Sequence, residues 1–468
     1  MPEIRFSFIG GIHSKRREAD IFPDECAIGT NFNLDGHIGT LRPRKPFNFM
    51  GRAPNGAAIN GLAQVIRNDG EIKTLIQAGN VVYSWDGTFF GFTKIGEVNP
   101  GAHLRGPLGQ NFSLNQQVII TDLAKKQPVM TWDGFTFGEL QHNLGAPFFA
   151  KYARVKNERT VYANVKIGTD DTPQIILGSA IGNPADLSNV DRPTSSLGLD
   201  RPWFLPILDN KPINGLEFGF GQFAISTERG RLYVLQGRDS FDFELKDFFF
   251  GSSVSGDEAL LNVGNDVILG LPSRIETLSG VLEFGDVQAD DPSIWIDNLI
   301  RDVRSWTIAY NRPRQRIFFF PNNQDSIYVL HKQMLGVRDL QGNPVSPWSR
   351  YRTAFPLRSG GGITGSTGGG PGAGTALGSG HTIGFGATVV MPLFNPLTGG
   401  EEIFFGDGSG DFFNMEGNSG LDGSPNEIVQ IAMTAGGGKS FVGGYDSTFV
   451  FGTDGENYER LPASGSGE

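Results

Sequence analysis

One short unit that occurs twice constrains the fold of this chain more than any other feature of its sequence. Residues 81–91 (VVYSWDGTFFG) align with residues 128–138 (PVMTWDGFTFG), and the Trp-Asp-Gly triplets that begin at Trp85 and Trp132 lie 47 residues apart. In both copies an Asp-Gly pair separates two apolar runs. Asp-Gly suits the positive φ angles of a type I′ turn, so the unit predicts a recurring β-hairpin with such a turn.

Looser copies of the same hairpin follow along the chain. Residues 231–235 precede 241–245, residues 403–405 precede 412–415, residues 448–451 precede 458–461, and residues 327–330 begin a copy with a longer turn through 342–344. A repeat of about 40–50 residues, containing about four short strands, is typical of β-propeller blades. We therefore predict an all-β fold, a β-propeller of about six to eight blades.

The chain divides into an N-terminal arm that contributes strands, residues 1–55, and a propeller body, residues 56–468. Two segments interrupt the hairpin pattern of the body. Near residues 292–308 the apolar residues recur at helical spacing, which predicts one short helix. These apolar residues are Trp295, Leu299, Val303 and Trp306. Residues 359–380 consist mainly of Gly, Ser, Thr and Ala, which predicts a long Gly-rich loop without a packed core.

Composition excludes several classes of protein. A hydrophobic content of 38% with 11% aromatic residues is too high for a disordered chain. Cys26 is the single cysteine, so a disulfide framework and a cysteine-based zinc cluster are excluded. No signal peptide or membrane segment is expected. A net charge of −11 argues against tight binding of nucleic acid through its phosphates.

The negative charge is concentrated at one end of the chain. Residues 400–468 contain two Lys or Arg against twelve Asp or Glu, whereas residues 1–52 contain eight basic against six acidic residues. An ordinary solvated surface is one interpretation of this asymmetry. The alternative is an acidic face that lets a polyanion slide past without binding.

Motifs that would carry chemistry are incomplete in this sequence. Residues 436–440 (GGGKS) lack the first glycine of a phosphate-binding loop, and Met433 stands in its place. Residues 407–411 (DGSGD) begin like a calcium loop, but Asn418 and Phe412 occupy positions that require Glu and Gly. We interpret both runs as turns, with a weak Ca²⁺ site as the alternative for the second.

Histidines and paired acids add no catalytic constellation. The histidines show neither HxH nor HExxH spacing. They are His13, His37, His103, His142, His331 and His381. The acidic pairs Asp170-Asp171 and Asp290-Asp291 stand beside prolines in turn or cap contexts. The sequence therefore predicts no catalytic residues, no cofactor or cofactor-binding residues, no metal ligands, and a protein that is not an enzyme.

A series of short motifs follows a fixed order along most of the chain. The N-terminal motifs are FPDECA at 22–27, Asn31, LDG at 34–36, Gly39 and RPR at 42–44. The central motifs are TVYA at 160–163, PQII at 173–176, Ser179 and NPAD at 183–186. The later motifs are YVL at 233–235, Gly237, Phe241, PWSR at 347–350, FGD at 405–407, Gly410, FF at 412–413 and DG at 422–423. In this order the motifs resemble those of the tail nozzle proteins of short-tailed bacteriophages, also called tail hub or packaged-DNA stabilisation proteins.

The resemblance, which spans about residues 22–428, implies a structural virion protein. Its expected partners are further copies of itself in a ring (a hexamer in the family), tail adaptor proteins above, and tail fibres or spikes. Double-stranded DNA would pass through the ring channel without specific binding. The expected location is the virion tail, after synthesis in the cytoplasm of a bacterial host. The alternative is a carbohydrate-active or receptor-binding β-propeller at the phage tail tip.

Overall fold

A computed structural model gives the architecture of the chain. It describes most of residues 48–351 and 387–415. The gaps are 89, 107–116, 157, 189–200, 220, 238–242, 250–251, 265, 279–291, 323, 325, 336–344, 397–399 and 409. It also describes short segments at 11–12, 25–26, 28–30, 32–34, 42–43, 429–432, 440–443, 449–452 and 459–460. The predicted Gly-rich loop at 359–380 lies outside the described residues.

Antiparallel sheets of short strands make up the described body, and we number them as blades in chain order. Blade 1 contains Ile59–Ile66, Ile72–Ala78, Val81–Trp85 and Phe92–Glu97. Blade 2 contains Leu104–Arg105, Val118–Asp122, Met130–Trp132 and Phe137–Glu139. Blade 3 contains Phe148–Lys156, Arg159–Ile167, Asp170–Gly178 and Trp203–Pro206. Blade 4 contains Ile213–Gly219, Gln222–Thr227, Arg231–Gln236 and Glu244–Phe249.

The remaining blades complete the body. Blade 5 contains Leu260–Asn262, Val267–Leu271 and Arg274–Thr277. Blade 6 contains Trp306–Asn311, Arg316–Pro321, Ile327–His331 and Trp348–Tyr351. Blade 7 contains Ala387–Phe394, Glu401–Asp407, Asp411–Asn414 and, from the N-terminal part of the chain, Asn48–Arg52.

The blades close into a ring, which makes the fold an all-β propeller. Five blades are separate sheets of three or four strands, while blades 1 and 2 form one eight-stranded sheet through the parallel pair Arg105 and Leu62. The inner strands of each blade contact those of the next, and blade 7 contacts blade 1. The described residues thus form seven blades, within the predicted range of six to eight.

Apolar side chains between neighbouring blades form the core. Trp85 contacts Phe404 and Phe412 edge to face, with ring centroids 6.1 and 5.1 Å apart, in the cluster between blades 1 and 7. Trp132, the equivalent residue of the second repeat, lies in the cluster between blades 1 and 2. The repeated tryptophans therefore fill equivalent gaps, which explains why the same unit occurs in both blades.

The predicted hairpins form, but their turns differ from type I′. The strands before and after Asp86 and Asp133 pair around loops of residues 86–91 and 133–136, which are longer than the two-residue type I′ loop. The glycine after each aspartate has a φ of +95° or +96°, whereas neither aspartate has a positive φ. Each aspartate carboxylate accepts a hydrogen bond of 2.8 Å from the backbone N–H two residues later. The turns are therefore stabilised by the aspartate side chains, and the type I′ prediction is wrong.

The helix predicted near 292–308 is shorter than expected. A 3-10 turn at Pro292–Trp295 is followed by the one-turn helix Asp297–Ile300, and Trp306 begins the innermost strand of blade 6. The Trp306 indole N–H donates to the Leu271 carbonyl at 2.8 Å, and its ring packs against Phe319. Packing in blade 6 and against blade 5 therefore overrides the helical spacing that includes Trp306.

The same helical segment covers the outer edge of blade 5, which has three strands among the described residues. The buried Ser293 side chain accepts a hydrogen bond of 3.1 Å from the backbone N–H of Ile275 in the outermost strand. A hydroxyl group thus satisfies an edge N–H that a fourth strand satisfies in other blades.

Strands from the two ends of the chain form a further sheet beside blade 6. It contains Ile28–Thr30, Val429–Ala432, Ser440–Gly443, Phe449–Gly452 and Glu459–Arg460. Two-stranded pairs occur at Gly11–Ile12 with Glu25–Cys26 and at Phe32–Asn33 with Arg42–Pro43. Ile12 and Leu34 are buried in the core of blades 4 to 6. The division at residue 55 stays a prediction.

Candidate functional site

Charged side chains from separate blades meet where the innermost strands begin. Arg105, in the innermost strand of blade 2, donates from Nε to Glu258 Oε1 at 2.8 Å and from Nη1 to the Asn60 carbonyl at 2.7 Å. Glu258 lies just before blade 5, and its backbone bridges to Thr307 in blade 6. The side chains of Arg105 and Glu258 are only 9% and 11% exposed. This is a buried ion pair whose cation is held by a further hydrogen bond.

The blades that hold this pair are not neighbours in the ring. Blades 3 and 4 separate blade 2 from blade 5 on one side, and blades 6, 7 and 1 separate them on the other. A direct contact between Arg105 and Glu258, which are 153 residues apart, must therefore cross the middle of the ring. The pair occupies the propeller axis.

A second ion pair lies beside the first. Lys151, in the innermost strand of blade 3, contacts Asp257 Oδ1 at 2.6 Å. The neighbouring Tyr152 hydroxyl donates to the Asn214 carbonyl of blade 4 at 2.9 Å. Burial raises the pKa of Tyr152 well above its usual value of 10.0, and the negative charge of Asp257 raises it further. We call Asn60, Arg105, Lys151, Tyr152, Asp257 and Glu258 the axial cluster.

Two cations face two carboxylates in the axial cluster, so its charges balance. Each carboxylate is engaged by a cation at hydrogen-bond distance. Removing either partner of a buried ion pair leaves an uncompensated charge. The two pairs link blades that are not adjacent in the ring.

A related contact joins blades 3 and 4 next to the axis. Arg154 donates from Nε to Glu217 Oε2 at 3.1 Å, and both side chains are nearly buried. Glu217 Oε1 also accepts the Phe218 backbone N–H at 2.9 Å. Further from the axis, the Asn164 amide donates to the Ile213 carbonyl at 2.8 Å across the same seam. Polar side chains therefore fix the relative position of adjacent blades as well as opposite ones.

The run at 407–411 closes the ring. Asp407 Oδ1 accepts the Asp411 backbone N–H at 2.8 Å, which stabilises the turn between two strands of blade 7. Arg52 donates from Nε to Asp411 Oδ1 and from Nη2 to Asp411 Oδ2, the latter at 2.8 Å. Position 409 lies outside the described residues. The Asp411 carboxylate therefore binds the N-terminal strand Asn48–Arg52, and we interpret residues 407–411 as a turn.

The other candidate residues from the sequence do not assemble into one site. Asp171 pairs with Lys125 at 2.6 Å, and Asp170 begins a strand of blade 3. The buried His331 ring contacts the Ser349 hydroxyl at 2.8 Å within blade 6. Residues 290–291 and 436–439 lie outside the described residues. No group of three or more His, Cys, Asp or Glu side chains that could hold a metal ion occurs in the described part of the chain.

No sequence motif indicated the axial cluster. Arg105 and Lys151 lie in two different strands, Asp257 and Glu258 are adjacent acids before another strand, and no spacing connects positions as distant as Arg105 and Glu258. Arginine and aspartate or glutamate are seldom fully buried unless they are paired. The one sequence signal for this cluster is a charged residue at the start of an innermost strand. It can be recognised only when the order of the strands in each blade is known.

Comparisons with known proteins give similarity of fold only. No protein-family model matches the sequence, and no curated protein matches it. The WD40 domain of Neurospora crassa Pan2 is 11% identical with a TM-score of 0.44, over 81% of this chain and 98% of that domain. Raptor of Chaetomium thermophilum is 8% identical with a TM-score of 0.45; the match covers 81% of this chain but only 29% of Raptor. PorZ of Porphyromonas gingivalis is 9% identical with a TM-score of 0.40, over 90% of this chain and 53% of PorZ.

These similarities are too distant to carry an argument about function. The propeller architecture follows from the strand order and the ring contacts. No helix in the described residues has the length and apolar character needed to cross a bilayer.

Proposed function

We propose that this chain is a structural subunit of a bacteriophage tail. Copies of it would form the nozzle or hub ring that extends the DNA exit channel, retains the packaged genome until ejection and anchors other tail proteins. The proposal takes its family from the ordered sequence motifs between residues 22 and 428. The observation that carries it in the structure is the occupied propeller axis.

An occupied axis favours a scaffold over a propeller enzyme. A glycosidase needs two carboxyl groups that flank the scissile bond, with space for the sugar between them. Here the axial carboxylates Asp257 and Glu258 are each bound to a cation, at 2.6 and 2.8 Å. Side chains from blades 2, 3 and 5 meet at the axis, and their ion pairs connect blades across the ring.

The same observation bears on the proposed DNA path. DNA cannot pass through the axis of a single propeller that Arg105 and Glu258 span at 2.8 Å. The channel would therefore be enclosed by the ring of subunits. A net charge of −11 suits such a conduit, because each cation facing the phosphates would add affinity through counterion release.

Gold labelling of this chain on purified virions, viewed by negative-stain electron microscopy, tests the proposal. We expect label at the distal end of the tail, with particles treated with non-immune antibody as the control. Label on the head, or no label on intact particles, would overturn it. Hydrolysis of a host surface glycan by the isolated chain, or its binding to host cells, would instead support the carbohydrate-active or receptor-binding alternative.

A further inference from the structure

The outer edge of blade 3 carries apolar side chains that point into solvent. In its outermost strand, Trp203–Pro206, the side chain of Phe204 is 56% exposed, and Pro206 is also exposed. Leu208, in the turn that follows, is 85% exposed. We call Phe204, Pro206 and Leu208 the blade-3 strip. Their spacing of two residues matches one side of an extended strand, while Trp203 and Ile207 are buried on the other side.

Other outer strands of the same propeller are protected by charge. In blade 1, Lys94 and Glu97 are exposed and form an ion pair at 2.6 Å. In blade 4, Glu244 and Lys246 are exposed on the outermost strand. Charged residues on edge strands are a usual means of preventing unwanted association. The blade-3 strip lacks this protection and places three apolar side chains along one edge, which makes it a candidate contact surface.

Pro206 restricts how a partner can bind the strip. The Ile207 backbone N–H donates to the Gln174 carbonyl of the neighbouring strand at 2.9 Å. Hydrogen-bonding positions alternate along a strand, so the backbone nitrogen of residue 206 is on the open edge of the sheet. Proline has no N–H to donate, so it interrupts the hydrogen bonding that an added strand would need. The strip therefore suits side-chain packing against a folded surface and disfavours addition of an extended peptide.

The small size of the strip indicates what kind of assembly it serves. A stable two-body interface buries about 1,200–2,000 Å² in total. Three side chains cover only a fraction of that area, so the strip alone would not sustain a pairwise complex. A contact of this size becomes effective when a closed ring repeats it at every subunit, because closure links all the contacts together.

The chain itself carries a matching apolar side chain on another blade. Phe90, in the loop between the two outer strands of blade 1, is 88% exposed, and it and Leu208 are the most exposed large hydrophobic side chains of the described residues. A contact between two different blades is heterologous, and heterologous contacts generate rings when the rotation closes. We infer that the blade-3 strip of one copy packs against Phe90 of a second copy of this chain. This inference rests on the proposed ring function.

Site-directed disulfide formation with the full-length chain tests the pairing. In a Cys26→Ser background, a chain carrying Leu208→Cys is mixed with a chain carrying Phe90→Cys and oxidised. We expect disulfide-linked dimers from the mixture, few from either variant alone, and a ladder of linked species from a chain carrying both substitutions. Dimers that form mainly between two Leu208→Cys chains would overturn the heterologous contact, and absence of linked species in all mixtures would overturn the contact altogether.

A second measurement keeps the test independent of disulfide geometry. Sedimentation velocity compares the wild-type chain with Leu208→Asp and with the matched control Leu335→Asp, which changes an exposed leucine on blade 6. We expect Leu208→Asp to weaken self-association by about tenfold or more, because a buried leucine would become a charge. The control should associate normally. Equal association of the wild type and both variants would contradict the inference.

The two proposals fail in different ways. Gold label at the distal tail on particles that carry Leu208→Asp with normal yield and infectivity would leave the tail function standing and overturn the strip contact. Disulfide-linked Phe90→Cys and Leu208→Cys chains, together with absence of label from virions, would leave the self-association standing and overturn the tail function.

Discussion

Trp85 and Trp132 occupy equivalent positions in the two repeats but differ in the hydrogen bonding of their indole N–H groups. Both side chains are fully buried. The Trp85 Nε1 donates to the Thr88 carbonyl at 2.8 Å, whereas the Trp132 Nε1 has no acceptor among the described residues. A buried donor without an acceptor costs free energy, whereas a paired donor contributes to stability.

We therefore expect Trp85→Phe to destabilise the chain more than Trp132→Phe does. Both substitutions remove similar ring volume, so the cavity cost is comparable. The difference in the free energy of unfolding should be about 1 kcal/mol, from the hydrogen bond that only Trp85 makes. Urea denaturation of the two variants measures it, and equal stability or the reverse order would contradict the assignment.

Glu401, at the start of the second strand of blade 7, links stability to pH. Partial burial raises the pKa of Glu401 above its usual value of 4.5, although Arg312 opposes the shift. The folded state therefore holds the proton more tightly than the unfolded state does. The chain therefore loses stability as the pH rises from about 4.5 through the raised pKa of Glu401. Above that pKa the full cost of ionising the partly buried carboxyl is present.

Glu401→Gln removes this ionisation and should be more stable than the wild type at neutral pH. The advantage should shrink towards zero as the pH falls below 4.5, where the wild-type carboxyl is protonated in both states. Thermal unfolding across a pH series measures the difference. Glu402→Ala is the control and should be destabilising, because it removes the acceptor of the Asn395 hydrogen bond at 2.9 Å. A difference that does not vary with pH would count against the linkage.

At the scale of elements, the edge of blade 5 depends on one hydroxyl group. Ser293→Ala removes the acceptor of the buried Ile275 N–H, whose hydrogen bond is 3.1 Å long. We expect a loss of about 1–3 kcal/mol in the free energy of unfolding, the cost of leaving a buried donor unpaired. Hydrogen exchange should accelerate at the Ile275 amide and leave the amides of blade 1 unchanged. Unchanged exchange at Ile275 would show that the contact is dispensable.

Elements whose signals are local could be predicted from the sequence, and elements set by distant contacts could not. The hairpin around residues 403–415 follows from two apolar runs and the Asp-Gly turn between them. The turn type around Asp86 was wrong because its carboxylate, bonded to the Thr88 N–H at 2.8 Å, supports a longer loop. Trp306 fitted a helical spacing, but it begins a strand of blade 6, and its indole hydrogen bond to Leu271 joins that blade to blade 5.

At the scale of the whole molecule, the Arg105–Glu258 pair should couple blades that are not adjacent. We expect a double-mutant cycle on this pair to give a larger coupling energy than a cycle on the exposed Lys94–Glu97 pair. Arg105→Ala alone should cost about 3–5 kcal/mol, because it leaves Glu258 buried without its cation. The surface pair should contribute about 0.2–1 kcal/mol. Equal coupling at the two pairs would refute a cross-ring role.

Ring closure by Asn48–Arg52 makes the strongest prediction for the molecule as a whole. This strand is the fourth strand of blade 7, where it pairs with Asp411–Asn414, and Ala53 donates to the Gly410 carbonyl at 2.8 Å. A chain that lacks residues 1–52 would expose the edge of Asp411–Asn414. An exposed apolar edge strand promotes aggregation, and an open ring loses the contact that joins its two ends.

We therefore expect the chain without residues 1–52 to unfold without a single cooperative transition and to aggregate. A chain without residues 1–47 is the matched control, since it keeps the closing strand and the Arg52–Asp411 pair. The control loses the buried Ile12 and Leu34, so it should be less stable than the wild type but still unfold cooperatively. Calorimetry and light scattering distinguish the two chains. Similar unfolding of both would mean that the N-terminal strand does not close the ring.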